Sequence, residues 1–188
     1  MMPRLALFVL ASATFAYVSR RSLTSWRSHG FYRFFAWECI AAMCCLNFAT
    51  FGQWFGDPLS ARQLISWALL TGSIVPAVAG VHQLHRRGRT GAAIRDDAGT
   101  LLQFEQTTNL VTTGVFRYVR HPLYSSLLLL AWGVFFKGLS GISAALALGA
   151  TCFLVLTAKF EELENQRYFG LAYVKYMRDT TMFIPWLF

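Results

Sequence analysis

The sequence predicts an all-α integral membrane protein with about five transmembrane helices, the last two of which form a helical hairpin. Of the 188 residues, 55% are hydrophobic and only 14% are charged, against about 25% charged residues in an average soluble domain. The mean hydropathy is +0.43, and the apolar residues are grouped in five runs along the chain. This composition argues against a disordered chain, a soluble Rossmann enzyme and a disulfide-rich secreted module.

The N-terminal part of the chain contains the first three predicted spans, which are residues 5–19, 34–54 and 64–81. A helix that crosses the bilayer needs about 17 to 25 residues, so the first run is short for a span. Arg4, the short apolar run and Ala11-Ser12-Ala13 are also typical of a cleavable signal peptide. Arg20 and Arg21, which follow this run, favour a retained helix instead.

The fourth and fifth predicted spans are residues 123–136 and 142–158, joined by the sequence Lys-Gly-Leu-Ser-Gly. Because this connection is short and contains two glycines, the two spans are expected to form an antiparallel helical hairpin. The chain is expected to be a single membrane domain, residues 1–188. Its parts are three N-terminal spans (1–81), a cytoplasmic loop (82–121), the hairpin (122–158) and a cytoplasmic tail (159–188).

The basic residues are distributed unevenly between the two sides of the predicted membrane. When successive loops are assigned to alternate sides, one side has all but three of the 17 lysines and arginines. The other side has only Arg4, Arg62 and Lys137. The positive-inside rule then predicts a multi-pass protein with its N-terminus outside and its C-terminus in the cytoplasm. The compact design favours a bacterial inner membrane, with an endomembrane as the alternative.

Two other functional classes are not supported by the composition. The formal net charge of +8 follows from the loop asymmetry, so a nucleic-acid partner is not predicted. All four cysteines lie in apolar runs without the spacing of metal ligands, so no metal site is predicted. The cysteines are Cys39, Cys44, Cys45 and Cys152.

Arg120 and His121 precede the fourth span directly and are followed by Pro122. Proline suits the first turn of a helix, so both residues are expected at the cytoplasmic mouth of this helix, beside its unpaired backbone N–H groups. Such a position attracts carboxylates or phosphates. An alternative is that the two residues only anchor the helix among the lipid headgroups.

The tail carries a carboxylate and aromatic side chains at helical spacing. Glu162, Gln166, Phe169, Tyr173 and Tyr176 follow at intervals of 4, 3, 4 and 3 residues. In an unbroken helix they form one stripe, which could hold a cationic or amine-bearing ligand. Gly170 could end the helix and scatter the stripe. The alternative is an amphipathic tail that lies on the membrane surface.

Two blocks of the sequence resemble a known enzyme family. Residues 113–124, TGVFRYVRHPLY, resemble the TGPYRYVRHPxY signature of the isoprenylcysteine carboxyl methyltransferase and phospholipid methyltransferase group. Glu161-Glu162, followed by Phe169-Gly170, Tyr173, Tyr176 and Ile184-Pro185, is similar to the C-terminal block of that group. The resemblance covers roughly residues 108 to 186. Val115, Phe116 and Ser126 depart from the family pattern, which usually has proline, tyrosine and glycine there.

The resemblance implies a membrane methyltransferase whose last two spans and tail enclose S-adenosylmethionine at the cytoplasmic face. The acceptor is expected to be a lipophilic molecule that enters from the bilayer. The implied cofactor-binding residues are His121, Leu123, Tyr124, Glu161, Glu162, Tyr173 and Tyr176. The two glutamates would hold the amino or ribose groups, and the tyrosines would close over the cofactor. Arg120 and Glu162 are the implied catalytic residues, with Arg120 orienting an anionic acceptor.

Two other functions remain open from the sequence. A membrane reductase of the sterol-reductase type has a similar C-terminal region but binds NADPH and usually has asparagine after His-Pro, where this chain has Leu123. A non-catalytic lipid-binding membrane protein on the same scaffold is the other alternative. The acceptor group, whether carboxylate, amine or thiol, and the oligomeric state are not predicted.

Overall fold

The computed structural model describes residues 2–55, 57–88, 102 and 106–187, and these residues form six α-helices and no strand. The all-helical class is therefore confirmed for this part of the chain. Arg89 and Arg95 of the predicted cytoplasmic loop lie outside the described residues, as do the rest of residues 89–101 and residues 103–105. The helices are α1 (Met2–Ser19), α2 (His29–Asn47), α3 (Ala61–Arg87), α4 (Pro122–Lys137), α5 (Gly141–Phe169) and α6 (Leu171–Asp179).

Two of the described helices, α3 with 27 residues and α5 with 29, are long and apolar enough to cross a membrane. The helices α1 and α4 are apolar but shorter, and α2 carries Arg33 and Glu38 within its 19 residues. Length and composition therefore support two spans directly, and the number of five stays a prediction.

Local capping explains why several helices begin where they do. Ser28 precedes α2 and its side chain accepts a hydrogen bond from the backbone N–H of Gly30, at 3.3 Å. As a result α2 begins at His29, earlier than the predicted span, and it ends at Asn47, after which residues 48–54 form a 3-10 helix. Ser140 caps α5 by accepting from the N–H of Ser143, at 3.1 Å.

The helices pack mainly as two pairs, α3 with α4 and α2 with α5, while α1 lies against α2. Their shared core contains Ile40 and Met43 of α2 and Ala131 of α4, together with the small residues Ala147 and Ala150 of α5. Small residues let helix backbones approach closely, which is the usual packing in membrane bundles. This packing brings the beginning of α2, the beginning of α4 and the polar end of α5 together around one cavity.

The tail does not continue α5 as an unbroken helix. Gly170 has φ 61° and ψ −138°, a conformation open almost only to glycine, so α5 ends at Phe169 and α6 starts in a new direction at Leu171. The continuous stripe from Glu162 to Tyr176 that an unbroken helix would give is therefore not present.

Candidate functional site

Backbone hydrogen bonds join the segment before α4 to residues 181–182 of the tail. The N–H of Arg120 donates to the carbonyl of Thr181 at 2.9 Å, and the N–H of His121 donates to that of Met182 at 3.1 Å. The N–H of Thr181 donates back to Tyr118, at 3.3 Å. These bonds form a short parallel bridge that fixes where the side chains of Arg120 and His121 point.

The same segment is held from its other side by the end of α3. Gly114 has φ 64° and lies so close to Gln83 that a Cβ there would be 2.0 Å from Nε2 of the glutamine. Arg87 donates through Nη1 to Oγ1 of Thr113, at 2.5 Å. The positive φ therefore favours glycine at position 114, while the close contact is with the flexible end of the Gln83 side chain.

Arg120, His121 and Glu162 form a buried cluster behind the beginning of α4. Nε of Arg120 donates to Oε1 of Glu162 at 2.6 Å, and Nε2 of His121 lies 3.3 Å from the same oxygen. Nη1 of Arg120 donates to the carbonyls of Met177, at 3.1 Å, and Thr180. Burial alone would raise the pKa of Glu162, but the hydrogen bonds and charges of His121 and then Arg120 hold that pKa below its ordinary value.

Glu161 has different partners from its neighbour. The hydroxyl of Tyr124 donates to Oε2 of Glu161 at 2.5 Å, and Nδ1 of His121 is 3.7 Å from that oxygen. The rings of His121 and Tyr124 are stacked, with centroids 5.4 Å apart and planes 15° from parallel. The imidazole of His121 therefore lies between two carboxylates, one on each side of the ring.

A cavity of about 250 Å³ opens in front of this cluster. Five of the predicted site residues line it: Arg120, His121, Leu123, Tyr124 and Glu161. Glu164 and Asn165 of α5 line the same wall as Glu161, and apolar side chains that include Leu84, Phe116 and Leu127 line the rest. The cavity thus combines carboxylates, two guanidiniums and apolar side chains, which suits a ligand that is part charged and part apolar.

The family model of phospholipid methyltransferases matches residues 62–172 of this chain. This match covers more than half of the chain. The chain belongs to the phospholipid methyltransferase family. The family resemblance seen in the sequence is thereby confirmed. No curated protein and no solved structure matches the chain.

Family membership implies a methyltransferase, and together with the two long apolar helices it indicates a membrane protein. The match includes the segment before α4, all of α4 and α5, and both Glu161 and Glu162. It stops at residue 172, so Tyr173 and Tyr176 lie just beyond it.

The three remaining predicted residues of this family member are not part of the cavity lining. Glu162 lies behind the wall, and Tyr173 and Tyr176 are buried. Burial raises the pKa of both tyrosines. Tyr176 donates its hydroxyl to the carbonyl of Phe116 at 2.6 Å, and the ring of Tyr173 packs on that of Phe169 with centroids 6.4 Å apart. Their predicted role in cofactor binding stays a prediction.

Sequence reasoning missed several residues of the cavity, namely Arg33 and Trp37 of α2 and Glu164 and Asn165 of α5. Glu164 follows Glu161 by three residues, and this spacing alone places it on the same face of a helix. The sequence indicates Arg33 only as one of the basic residues that set the orientation of the chain. No pattern in the sequence indicates that α2 contacts the end of α5.

Proposed function

We propose that this chain is an integral membrane methyltransferase that uses S-adenosylmethionine to methylate a lipophilic acceptor at the cytoplasmic face. The observation that carries the proposal is the cavity at the beginning of α4, which in a member of the phospholipid methyltransferase family is lined by His121, Tyr124 and Glu161. The acceptor group is a carboxylate, an amine or a thiol.

The groups around the cavity fit the chemistry of this cofactor. S-adenosylmethionine carries a cationic sulfonium, an amino acid end and a flat purine, and it supplies an electrophilic methyl group when bound. The carboxylates of Glu161 and Glu164 match the cationic groups, while Phe116 and Leu127 offer apolar surface to a flat ring. In this proposal Tyr124 holds Glu161 by its 2.5 Å hydrogen bond, so that the carboxylate keeps one orientation.

Methyl transfer from a sulfonium is an in-line displacement, for which positioning and the exclusion of water provide most of the rate acceleration. Glu162 and the backbone carbonyls of the tail hold Arg120 in place, and Arg120 in turn presents its guanidinium at the cavity wall. There it neutralises or orients an anionic acceptor. A carboxylate acceptor needs no general base, whereas an amine or a thiol must lose a proton before it attacks.

The membrane arrangement of the proposal has five spans, with the N-terminus outside and residues 159–188 as a cytoplasmic catalytic tail. In this arrangement α4 and α5 are the predicted hairpin, connected by residues 138–140. The span of α5 ends near Ala158, and the charged residues from Lys159 onward extend into the cytoplasm. The cavity then opens at the cytoplasmic end of the bundle, where a lipid can reach it from the bilayer.

Isothermal titration calorimetry on the full chain in detergent tests this proposal. S-adenosylhomocysteine and, separately, NADPH are titrated into protein shown to be folded by circular dichroism. We expect binding of S-adenosylhomocysteine and no binding of NADPH. Binding of NADPH alone would move the chain to the reductases, and binding of neither ligand would contradict the proposed activity.

A further inference from the structure

Arg33 of α2 brings a second guanidinium to the cavity from outside the matched part of the chain. The family match begins at residue 62, whereas α2 runs from His29 to Asn47. The side chain of Arg33 is 1% exposed to solvent, and it lines the cavity together with Trp37, one helical turn further along α2. The N-terminal half of the chain therefore contributes charge to the site, beyond its role as a membrane anchor.

The position of Arg33 is fixed by its neighbours on both sides along the helix. Nη1 of Arg33 is 3.4 Å from Nε2 of His29, and its guanidinium carbon lies 5.1 Å from the centroid of the Trp37 ring. His29 is itself held, because its Nδ1 is 2.6 Å from Oε2 of Glu164 and its backbone N–H donates to Oε1 at 3.0 Å. With its proton on Nδ1, His29 donates to Glu164 and accepts from Arg33.

This arrangement places opposite charges close together in one small space. The guanidinium of Arg33 and the carboxylate of Glu164 are separated by a single imidazole ring, and both line the cavity of about 250 Å³. An amino acid carries an ammonium and a carboxylate on one carbon atom. Its ammonium complements the carboxylate of Glu164, and its carboxylate complements the guanidinium of Arg33. A buried guanidinium at the wall of a cavity favours an anionic ligand group, because little water is present to screen it.

Arg120 lines another part of the cavity and also joins two elements of the protein. Its Nε donates to Glu162 at 2.6 Å, and its Nη1 donates to the carbonyls of Met177 and Thr180, so much of its donor capacity is used to join α4 to the tail. Arg33 lines the cavity on the α2 side, next to His29 and Trp37 and close to Glu164.

We propose that Arg33 binds the carboxylate of the amino acid end of S-adenosylmethionine, with Glu164 facing the ammonium group. This inference rests on the proposed function, because it assigns one end of the cofactor within the same cavity. It assigns to α2 a direct contact with the cofactor.

Calorimetry with two ligands tests the assignment on the full chain in detergent. The probes are S-adenosylhomocysteine and its decarboxylated analogue, which keeps the amine and lacks only the carboxylate. Wild-type protein is expected to prefer S-adenosylhomocysteine by about tenfold to a hundredfold, the value of a hydrogen-bonded charge pair. In Arg33→Gln this preference is expected to fall to within about twofold. The variant loses the contact with the carboxylate of S-adenosylhomocysteine, whereas the analogue has no carboxylate and keeps its affinity. The exposed Arg21→Gln is the matched control and should keep the wild-type preference.

The outcomes separate this inference from the proposed function. If wild-type protein binds S-adenosylhomocysteine and Arg33→Gln keeps the full preference, the inference is wrong and the methyltransferase proposal stands. If wild-type protein binds both ligands equally, the inference is wrong without any variant, which covers the case in which Arg33→Gln does not fold. Where Arg33→Gln does not fold, Arg33→Lys replaces it. Lysine keeps the charge and loses the planar guanidinium, so a preference smaller than that of the wild type supports the inference and an unchanged preference contradicts it. If wild-type protein binds neither ligand, the proposed function fails and the inference fails with it.

Discussion

Glu161 and Glu162 are adjacent in the sequence and have different surroundings. Glu161 lines the cavity and accepts from Tyr124, whereas Glu162 lies behind the wall and pairs with Arg120 and His121. Successive residues of a helix point about 100° apart, so one carboxylate can face a ligand while the next joins two elements of the protein. We expect the two residues to affect binding and stability to different extents.

The first prediction concerns the carboxylate in the cavity. Glu161→Gln should weaken binding of S-adenosylhomocysteine by about tenfold or more, because an amide replaces a charged acceptor at the wall. Tyr124→Phe, which keeps the ring stacked on His121 and loses only the hydroxyl, should have a smaller effect. Calorimetry measures both, with the exposed Asp57→Asn as the control. If Glu161→Gln binds S-adenosylhomocysteine as tightly as the wild type, Glu161 is not part of the binding site.

The second prediction concerns stability and pH at Glu162. The pKa of Glu162 in the folded protein is below its unfolded value of about 4.3, so the ionised carboxylate contributes its full stabilisation above that value. This contribution is lost as pH falls through the folded-state pKa, when protonation removes the pairing with Arg120 and His121. The difference in Tm between wild type and Glu162→Gln should therefore be large near pH 7 and shrink below about pH 4.

Thermal unfolding in detergent at a series of pH values measures this difference. Asp179→Asn, which changes an exposed carboxylate, is the control and should show little difference from wild type at any pH. A gap between wild type and Glu162→Gln that stays constant down to about pH 3 would show that the carboxylate does not stabilise the fold through its charge.

At the scale of whole elements, the connection between α5 and α6 depends on the backbone of one residue. Gly170 has positive φ and no atom within 4 Å of the place where a Cβ would be, so Gly170→Ala tests backbone strain alone. We expect a loss of about 1–3 kcal/mol in the free energy of unfolding. Gly141→Ala, at an equally open site with ordinary φ, should cost nothing. Equal stability of the two variants, measured by thermal unfolding, would contradict the prediction.

The first residue of a helix was predictable where a residue acts through its own backbone. Pro122 marks the start of α4 because its fixed φ suits a first turn, and the predicted span differs from α4 by one residue at each end. The start of α2 was missed by five residues, because Ser28 acts through a capping hydrogen bond and the prediction followed apolar side chains. Hydrophobic runs do not indicate polar first turns.

At the scale of the whole molecule, the sequence identified Leu123 and Tyr124 of α4 and Glu161 of α5 as site residues. It missed Glu164 and Asn165 of α5 and both cavity residues of α2. Arg120 and Glu161 were recognised through family motifs, which retain spacing along one stretch of chain. The contact between His29 and Glu164 joins residues 135 positions apart, and no local periodicity reports such a contact. Packing between helices determines it, so it requires the three-dimensional structure.

The last prediction concerns the orientation of the protein in its membrane. In a background with the four native cysteines replaced by alanine, Asp57→Cys should react with a membrane-impermeant maleimide in intact cells. Arg21→Cys should react only after permeabilisation, because the basic loop after α1 is proposed to be cytoplasmic. Both positions are exposed in the structure, so accessibility reports the side of the membrane. The reverse labelling pattern would overturn the proposed orientation.

The pairing of Arg120 and His121 with Thr181 and Met182 also has a consequence for biosynthesis. The segment before α4 enters the membrane region about 60 residues before its partners have been translated, a delay of roughly 3–12 s at synthesis rates of about 5–20 residues per second. Throughout that interval the nascent chain has its helices but lacks the backbone bonds that aim the guanidinium and the imidazole. We therefore expect ligand binding to be acquired late in translation, after membrane insertion, so that an arrested chain ending before residue 180 would be inserted and inactive.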